Sequence, residues 1–140
     1  MKKDTSEMLK ELERCEEFRT FHRANEPLLA DRSVADYLNE LIAAKRLKKA
    51  DVIRRSQLSE PYGYQIFSGY RVPERPKLLS LAIGMQLDLQ EVQALLKHAG
   101  YAALYVKNEF DCVIIFGICK RLSVLDINAL LYDYGLDMLG

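Results

Sequence analysis

Apolar residues recur at spacings of three and four along most of the chain, which predicts an all-α protein. Residues 5–24 follow this spacing and are predicted to form one charged helix. Its apolar positions are Met8, Leu9, Leu12, Cys15, Phe18 and Phe21. Asp4 is the expected cap of this helix. Its expected end is Asn25-Glu26-Pro27, because a helix rarely runs through the residue before a proline.

Capping residues and glycines divide the rest of the chain into further helices. Ser33, Asp88 and Ser123 each precede an acidic residue by three positions, the spacing of a capping box. The glycines expected to end helices are Gly69, Gly100 and Gly135. The predicted helices cover residues 33–46, 48–56, 60–68, 77–84, 88–98, 108–120 and 123–134. Residues 71–76 are predicted to be a loop.

The apolar run over residues 113–118 is rich in β-branched residues and fits either a buried strand or a helix. An internal repeat favours the helix, because residues 78–100 align without a gap with residues 113–135. The identical pairs are Ile83/Ile118, Leu87/Leu122, Ala94/Ala129, Leu95/Leu130, Leu96/Leu131 and Gly100/Gly135. The expected caps Asp88 and Ser123 also coincide. The sequence therefore predicts a repeated helical hairpin.

The length of 140 residues fits one small domain with helical additions. We expect an N-terminal helical extension over 1–32, a core domain over 33–100, and a C-terminal helical hairpin over 101–140 packed on the core. The longest apolar run is too short to span a bilayer, and no hydrophobic region follows the first residues as in a secretory signal. A cytoplasmic location without a membrane partner is therefore expected.

The cysteines and histidines do not form a pattern typical of catalysis or metal binding. Cys15, Cys112 and Cys119 include no C-x-x-C pair. Cys112 and Cys119 lie seven positions apart in apolar sequence, so we expect buried structural thiols. His22 and His98 have no zinc ligands at short spacing, and no nucleophile constellation or glycine-rich phosphate loop occurs. Neither an enzyme nor a cofactor or metal site is expected.

Basic side chains are concentrated in the middle of the chain, although the formal net charge is zero. Residues 45–77 contain nine lysines and arginines against Asp51, Glu60 and Glu74, so this segment carries +6. Residues 108–140 carry −3 by the same count. Such asymmetry is typical of an electrostatic footprint for a polyanion, although a solvated helical face can be basic without one.

The order of elements over residues 41–96 matches a known pattern. Helix 48–56 is followed by a three-residue turn, a second short helix and then two more helices. The residues that carry the match are Leu41, Leu47, Leu58-Ser59, Gln65-Ile66, Gly69, Pro73, Leu78-Leu79, Leu81-Ala82, Leu87-Asp88-Leu89 and Leu95-Leu96. This segment resembles the DNA-binding domain of the Cro/CI phage-repressor family, also called the XRE family of transcription regulators. The resemblance implies a five-helix repressor-like helix-turn-helix core whose helix 60–68 enters the major groove.

The resemblance also implies which side chains contact double-stranded DNA. Those implied to read bases are Glu60, Pro61, Tyr64, Gln65 and Ser68. Gln65 is the best candidate, because a glutamine amide can pair with adenine N6 and N7. Those implied to contact phosphates are Lys48, Lys49, Arg71 and Arg75. Taken alone, each of these basic residues is equally compatible with a solvated surface side chain.

Three tyrosines, Tyr62, Tyr64 and Tyr70, crowd the second helix of the motif and the segment after it. Aromatic side chains beside basic residues can stack on bases, yet tyrosine packing against a neighbouring helix is commoner. We expect at least one of the three to pack against the protein.

Several positions depart from the family's usual pattern. Lys48 stands where the family usually has a small polar cap, and Gln57 stands where it has a glycine. Ile53 replaces a typical alanine, whereas Gly63 replaces a branched aliphatic residue. Because these last two positions face each other in the family, the large and small residues have exchanged places at similar total volume. We therefore predict that Ile53 contacts Gly63 in a maintained helix-turn-helix.

These observations predict a sequence-specific DNA-binding transcription regulator without catalytic activity. A homodimer is expected, because one short helix reads too few base pairs for useful specificity. The dimer interface would come from helix 5–24 or from the C-terminal hairpin. The alternative is a non-catalytic protein-interaction adaptor that keeps the fold without DNA binding and uses the C-terminal hairpin for a protein partner. The zero net charge and Glu60-Pro61 at the reading end support that alternative.

Overall fold

The structure, a computed structural model, describes residues 5–29 and 33–140, and within these ranges it contains helices and no strand. The all-α prediction is confirmed. The chain divides into two compact units, residues 1–32 and residues 33–140. Every described helix is too short or too polar to cross a bilayer.

The N-terminal unit contains two helices where the sequence predicted one. α1 (Thr5–Arg14) ends before Cys15, and α2 (Phe18–Leu29) begins after a break. The predicted single helix over 5–24 is therefore wrong, and so is its predicted end, because α2 passes through Pro27. Proline removes one backbone hydrogen bond, but only two residues of α2 follow it. The predicted cap Asp4 lies outside the described residues.

The break between α1 and α2 allows the two helices to contact each other, which one continuous helix would not allow. Phe21 and Asn25 are buried at this contact. The Asn25 amide donates to the Glu11 carboxylate at 3.0 Å and to the Phe21 carbonyl at 3.0 Å. α2 continues past Pro27 although the residue before a proline disfavours the helical conformation.

The second unit follows the predicted order of helices closely. Its helices are α3 (Val34–Ala44), α4 (Lys49–Ser56), α5 (Glu60–Phe67), α6 (Arg75–Gly84), α7 (Leu89–His98), α8 (Glu109–Cys119) and α9 (Val124–Asp133). The run over 113–118 is helical, as the repeat predicted. The predicted loop over 71–76 is too long, because α6 already begins at Arg75. Its start is favoured by Pro76 in the first turn, where the missing N–H costs nothing.

α6 is the central helix of this unit. It contacts α4, α7 and α9, and every residue from Leu78 to Gly84 is buried. A helix that is apolar on all sides is expected to be surrounded by others. A Cβ atom on Gly84 would lie 2.7 Å from the Val52 carbonyl oxygen, so the close approach of α4 to α6 requires a glycine there.

The same helix–helix corner occurs three times in the second unit, between α3 and α4, α6 and α7, and α8 and α9. Its left-handed residues are Arg46, Gln86 and Arg121, with φ of 55°, 59° and 57°. The leucine that follows each of them donates its N–H to the carbonyl five residues earlier. These bonds are Leu47 to Ile42, Leu87 to Ala82 and Leu122 to Gly117. This is the hydrogen-bonding pattern of a Schellman motif.

The predicted internal repeat is confirmed and extends beyond the helices. α7 and α9 coincide under the shift of 35 positions, as do their side-chain caps Asp88 and Ser123. After α7, the Gln93 side chain accepts from the Leu104 N–H at 2.7 Å and donates to its carbonyl. After α9, Asn128 makes the same pair of bonds to Leu139, again 35 positions on. In each hairpin, a side chain of the second helix thus holds the backbone of the segment that follows that helix.

Cys112 and Cys119 are exposed, so the prediction of buried thiols at these two positions is wrong. Residues 112–119 of α8 are all apolar, so sequence spacing alone did not show which side of the helix is covered. The structure buries the side that carries Asp111, Ile114 and Ile118. Cys112 and Cys119 lie on the other side, close in register to Phe116, which is 49% exposed.

Candidate nucleic-acid interface

The connection between α4 and α5 is a tight turn of three residues. Gln57 ends α4 in the left-handed conformation with φ of 62°, where glycine is the ordinary residue. Ser59 then caps α5, its hydroxyl accepting from the Tyr62 N–H at 3.4 Å. Pro61 occupies the first turn of α5. The turn therefore places two short helices side by side with little freedom between them.

α4 and α5 contact each other at Ile53 and Gly63, the two positions where the sequence has exchanged a large and a small residue. A Cβ atom built on Gly63 would lie 2.6 Å from Cγ2 of Ile53, which is closer than any real contact of this kind. Ile53 is 3% exposed, so its side chain is enclosed by this contact and the surrounding core. The predicted contact between Ile53 and Gly63 is confirmed.

Asn39 of α3 holds the other end of α5. Its amide donates to the Phe67 carbonyl at 2.8 Å and to the Ala35 carbonyl of its own helix at 2.8 Å. Sequence reasoning missed this residue. The available signal was an asparagine in the middle of a helix, where its side chain competes with the backbone unless it finds a partner. Asn39 thus fixes the C-terminal end of α5 against the core.

The five predicted base-reading residues lie along one side of α5. Glu60, Pro61, Tyr64 and Ser68 are exposed, whereas Gln65 is half-buried. The opposite side of the helix is buried through Gly63, Ile66 and Phe67. The Ser68 hydroxyl donates to the Gln65 carbonyl of its own helix at 3.0 Å. The structure therefore brings these residues together as one surface of a helix that is anchored on its other side.

Arg71 is hydrogen-bonded to Gln65 through both its side chain and its backbone. Its Nε donates to the Gln65 side-chain oxygen at 2.9 Å, and its backbone N–H donates to the Gln65 carbonyl at 3.2 Å. The Arg71 guanidinium also lies 5.9 Å from the centre of the Tyr70 ring. Because a carbonyl oxygen has two lone pairs, the Gln65 amide keeps capacity for a further partner. The Gln65 and Arg71 side chains thus form a joined polar pair on the exposed side of α5.

Tyr62 is the tyrosine that packs against the protein, as predicted for at least one of the three. It lies half-buried against the core, with the Lys77 ammonium 5.1 Å from its ring centre. Burial raises the pKa of the Tyr62 phenol above its ordinary value of 10.0. Tyr64 and Tyr70 are 41% and 75% exposed, so these two remain on the surface.

Arg75 is committed to a partner inside the protein, which removes it from the predicted phosphate contacts. Its two terminal nitrogens each lie 3.0 Å from an oxygen of the Asp111 carboxylate, and its Nε donates to the Ala102 carbonyl at 3.0 Å. The side chains of Arg75 and Asp111 are only 22% and 8% exposed. Sequence reasoning placed Arg75 in a loop and had no means to identify a partner 36 positions away.

The basic segment is partly neutralised by acids outside it. Lys45 pairs with Glu91 of α7 at 2.7 Å, and Arg75 pairs with Asp111 of α8. These two acids reduce the uncompensated charge of residues 45–77 from +6 to +4. Of the remaining predicted phosphate contacts, Lys48 is exposed, while Lys49 is half-buried with its ammonium 5.6 Å from the centre of the Phe67 ring.

Within residues 5–29 and 33–140, no three side chains of His, Cys, Asp or Glu converge on a position for a metal ion. No protein-family model, curated protein or solved structure matches this chain. A functional assignment therefore rests on the geometry of α4, α5 and their neighbours.

Proposed function

We propose that the chain is a sequence-specific DNA-binding transcription regulator in which α4 and α5 act as a helix-turn-helix of the Cro/CI repressor kind. Helices α3 to α7 would form the five-helix core. The observation that carries the proposal is the presentation of α5. The helix is anchored by Ile53 on one side and by Asn39 at its end, while its other side is polar and carries the half-buried Gln65, which is bonded to the exposed Arg71 after the helix. A short, rigidly held helix with a free polar side suits insertion into a major groove.

In this proposal, one set of residues contacts the DNA bases and another set contacts the DNA phosphates. Gln65 pairs with adenine, and Glu60, Pro61, Tyr64 and Ser68 surround it at the groove. Lys48, Lys49 and Arg71 contact phosphates. Lys48 stands at the start of α4, a helix end without a side-chain cap, where backbone N–H groups favour an anion. Two copies of the chain would bind two half-sites one helical turn apart.

Salt dependence of DNA binding tests the phosphate contacts. Three contacts per protomer in a dimer give a log–log slope of affinity against salt of about −5, from roughly −0.9 per released counterion. Fluorescence anisotropy with a random duplex at several salt concentrations measures this slope.

The matched variants for this measurement are Lys48→Ala and Lys120→Ala. Lys48→Ala should make the slope shallower by about two units per dimer, because it removes one phosphate contact from each protomer. Lys120, just after α8 and beside Phe116, should leave the slope unchanged when replaced. Affinity that does not depend on salt, or no affinity at low salt, would contradict the DNA-binding proposal.

Gln65→Ala is expected to weaken binding to the preferred site by about 1–3 kcal/mol, with little effect on random DNA. Arg71→Ala should weaken binding to the preferred site and to random DNA. It should also reduce the preference for that site, because Gln65 loses the partner that holds its side-chain oxygen. Binding curves on the preferred and scrambled duplexes separate the two effects. Gln90→Ala, an exposed glutamine on α7, is the control. Equal losses on both duplexes for Gln65→Ala would place the reading surface elsewhere.

A second candidate function is the non-catalytic protein-interaction adaptor. Two observations favour it: the internal pairing of Lys45 and Arg75, and an apolar concave surface between α8 and α9. Phe116 and Tyr134 line that surface and are 49% and 65% exposed. A chain that fails to bind duplex DNA even at low salt would favour the adaptor over the regulator.

A further inference from the structure

A pocket of about 240 Å³ lies where the ends of α4 and α6 meet the corner between α8 and α9. Its polar lining comes from Arg55, Gln57, Gln86, Arg121 and Ser123. Isoleucine, leucine and valine side chains from α6, α8 and α9 complete the wall. The lining contains two guanidinium groups and no carboxylate. Its chemistry is therefore that of a cationic pocket with an apolar floor.

Both arginines are fixed in place but retain most of their donors. Arg55 Nε donates to the Gly84 carbonyl at 2.8 Å, and Arg121 Nη1 donates to the Gln86 carbonyl at 2.8 Å. A guanidinium has five N–H donors, so one bond to a carbonyl leaves donors for an anion. A basic side chain near the end of a helix also stabilises that end by itself. Binding of an anion distinguishes the two roles.

The backbone supplies an observation independent of charge. Among the described residues, four that are not glycine have positive φ: Arg46, Gln57, Gln86 and Arg121. Three of these four line this one pocket. Each of these three residues ends a helix, so the pocket lies where the C-terminal ends of α4, α6 and α8 converge.

We propose that this pocket binds a small organic anion, a carboxylate with an apolar body the size of one aromatic ring. The carboxylate accepts from Arg55 and Arg121 in charge-assisted hydrogen bonds. The apolar body lies on the isoleucine and leucine side chains of the floor. Drug-sized ligands fill roughly 300–1,000 Å³, so a smaller molecule fits a pocket of about 240 Å³.

The position of the pocket gives the ligand a regulatory role. Gln57 belongs to the turn that sets α5 against α4, and Arg121 belongs to the α8–α9 corner. An anion bound between them contacts the turn directly and changes how α5 is held. This regulatory part rests on the proposed function in DNA binding, whereas the binding site itself does not.

The test uses sodium benzoate as the probe and the full chain observed by ¹H–¹⁵N correlation NMR without DNA. Benzoate is expected to shift the amide signals around Gln57, Gln86 and Arg121 saturably. Benzamide has the same shape without the charge, and inorganic phosphate has charge without the ring. Each should bind at least about tenfold more weakly, because each lacks one half of the interaction. Benzamide or phosphate binding as tightly as benzoate would overturn the proposal, as would unshifted pocket signals.

Matched variants identify the residues responsible. Arg121→Gln and Arg55→Gln should each weaken benzoate binding about tenfold, since each removes a charge-assisted hydrogen bond. Arg54→Gln is the control, because Arg54 is the neighbour of Arg55 but pairs with Asp51 on the surface. If Arg55→Gln does not fold, the exposed Arg121 still decides the question. Equal weakening by Arg54→Gln and Arg121→Gln would overturn the assignment.

The regulatory part has its own readout. DNA affinity measured with and without saturating benzoate should differ for the unmodified chain and not for Arg121→Gln. Unchanged DNA affinity at saturating benzoate would overturn the coupling to α5. Absence of DNA binding in every condition would contradict the proposed function and leave the NMR result on the pocket standing.

Discussion

The double variant Ile53→Ala, Gly63→Val is expected to lose far less free energy of unfolding than the two single variants lose together. Ile53→Ala leaves a cavity between α4 and α5 and should cost about 2–5 kcal/mol. Gly63→Val places a side chain where Ile53 Cγ2 lies 2.6 Å from the new Cβ, and overpacking of this kind costs about 1–3 kcal/mol. In the double variant, valine fills the space that isoleucine vacates, so most of both losses should disappear.

Urea denaturation of the wild type, both single variants and the double variant gives the coupling free energy. A matched control combines Gly63→Val with Ile127→Ala. Ile127 lies against Gly117 between α8 and α9, in a contact of the same kind. That combination should be additive, because its members belong to different contacts. Additivity within about 0.5 kcal/mol for Ile53 and Gly63 themselves would show that they do not touch.

Arg75→Met should destabilise the protein by about 3–5 kcal/mol, because removing one partner of a buried ion pair leaves the other charge uncompensated. The Asp111 carboxylate is 8% exposed and would keep only the Tyr105 N–H, at 3.0 Å, among its described partners from other residues. Thermal or urea denaturation measures the loss. Adding Asp111→Asn should recover part of it, since the amide oxygen still accepts from Tyr105 without a buried charge.

Arg54→Met is the control for this measurement. Arg54 also lies 3.0 Å from a carboxylate, that of Asp51, but its side chain is 71% exposed. A pair so exposed should contribute less than about 1 kcal/mol. Equal losses for Arg75→Met and Arg54→Met would show that Arg75 is not the buried partner of Asp111. Under the proposed DNA-binding function, folded Arg75→Met protein should keep the wild-type salt slope, because the Arg75 guanidinium is already held by Asp111.

The helices of the second unit were predictable because local residues determine their ends. Ser33, Asp88 and Ser123 cap them by hydrogen bonds to the backbone three residues later. The N-terminal unit was predicted wrongly because its break depends on contact between α1 and α2. No residue over 15–17 is a typical signal for the end of a helix. Pro27 is such a signal, but α2 continues past it.

The candidate interface was predictable as far as it depends on neighbours in sequence. The resemblance supplied both the residues of the exposed side of α5 and the Ile53–Gly63 pair. The partners of Arg75 and Asn39 lie 36 and 28 positions away, and nothing in a single sequence identifies them. The exposed cysteines of α8 were missed because an apolar pattern without a polar side gives no orientation.

The repeated corner has a consequence for how the protein is synthesised. Two of the three corners, those at Gln86 and Arg121, belong to the hairpins α6–α7 and α8–α9, each of which occupies fewer than thirty residues and closes through bonds between near neighbours. Ribosomes add roughly 5–20 residues per second, whereas local helical structure forms within about microseconds to milliseconds. Each hairpin can therefore close as soon as it leaves the exit tunnel and before the next one emerges. Nascent chains halted once His98 has left the exit tunnel should already protect the Gln86 corner from proteolysis, while α6 still lacks α9, one of the helices that bury it.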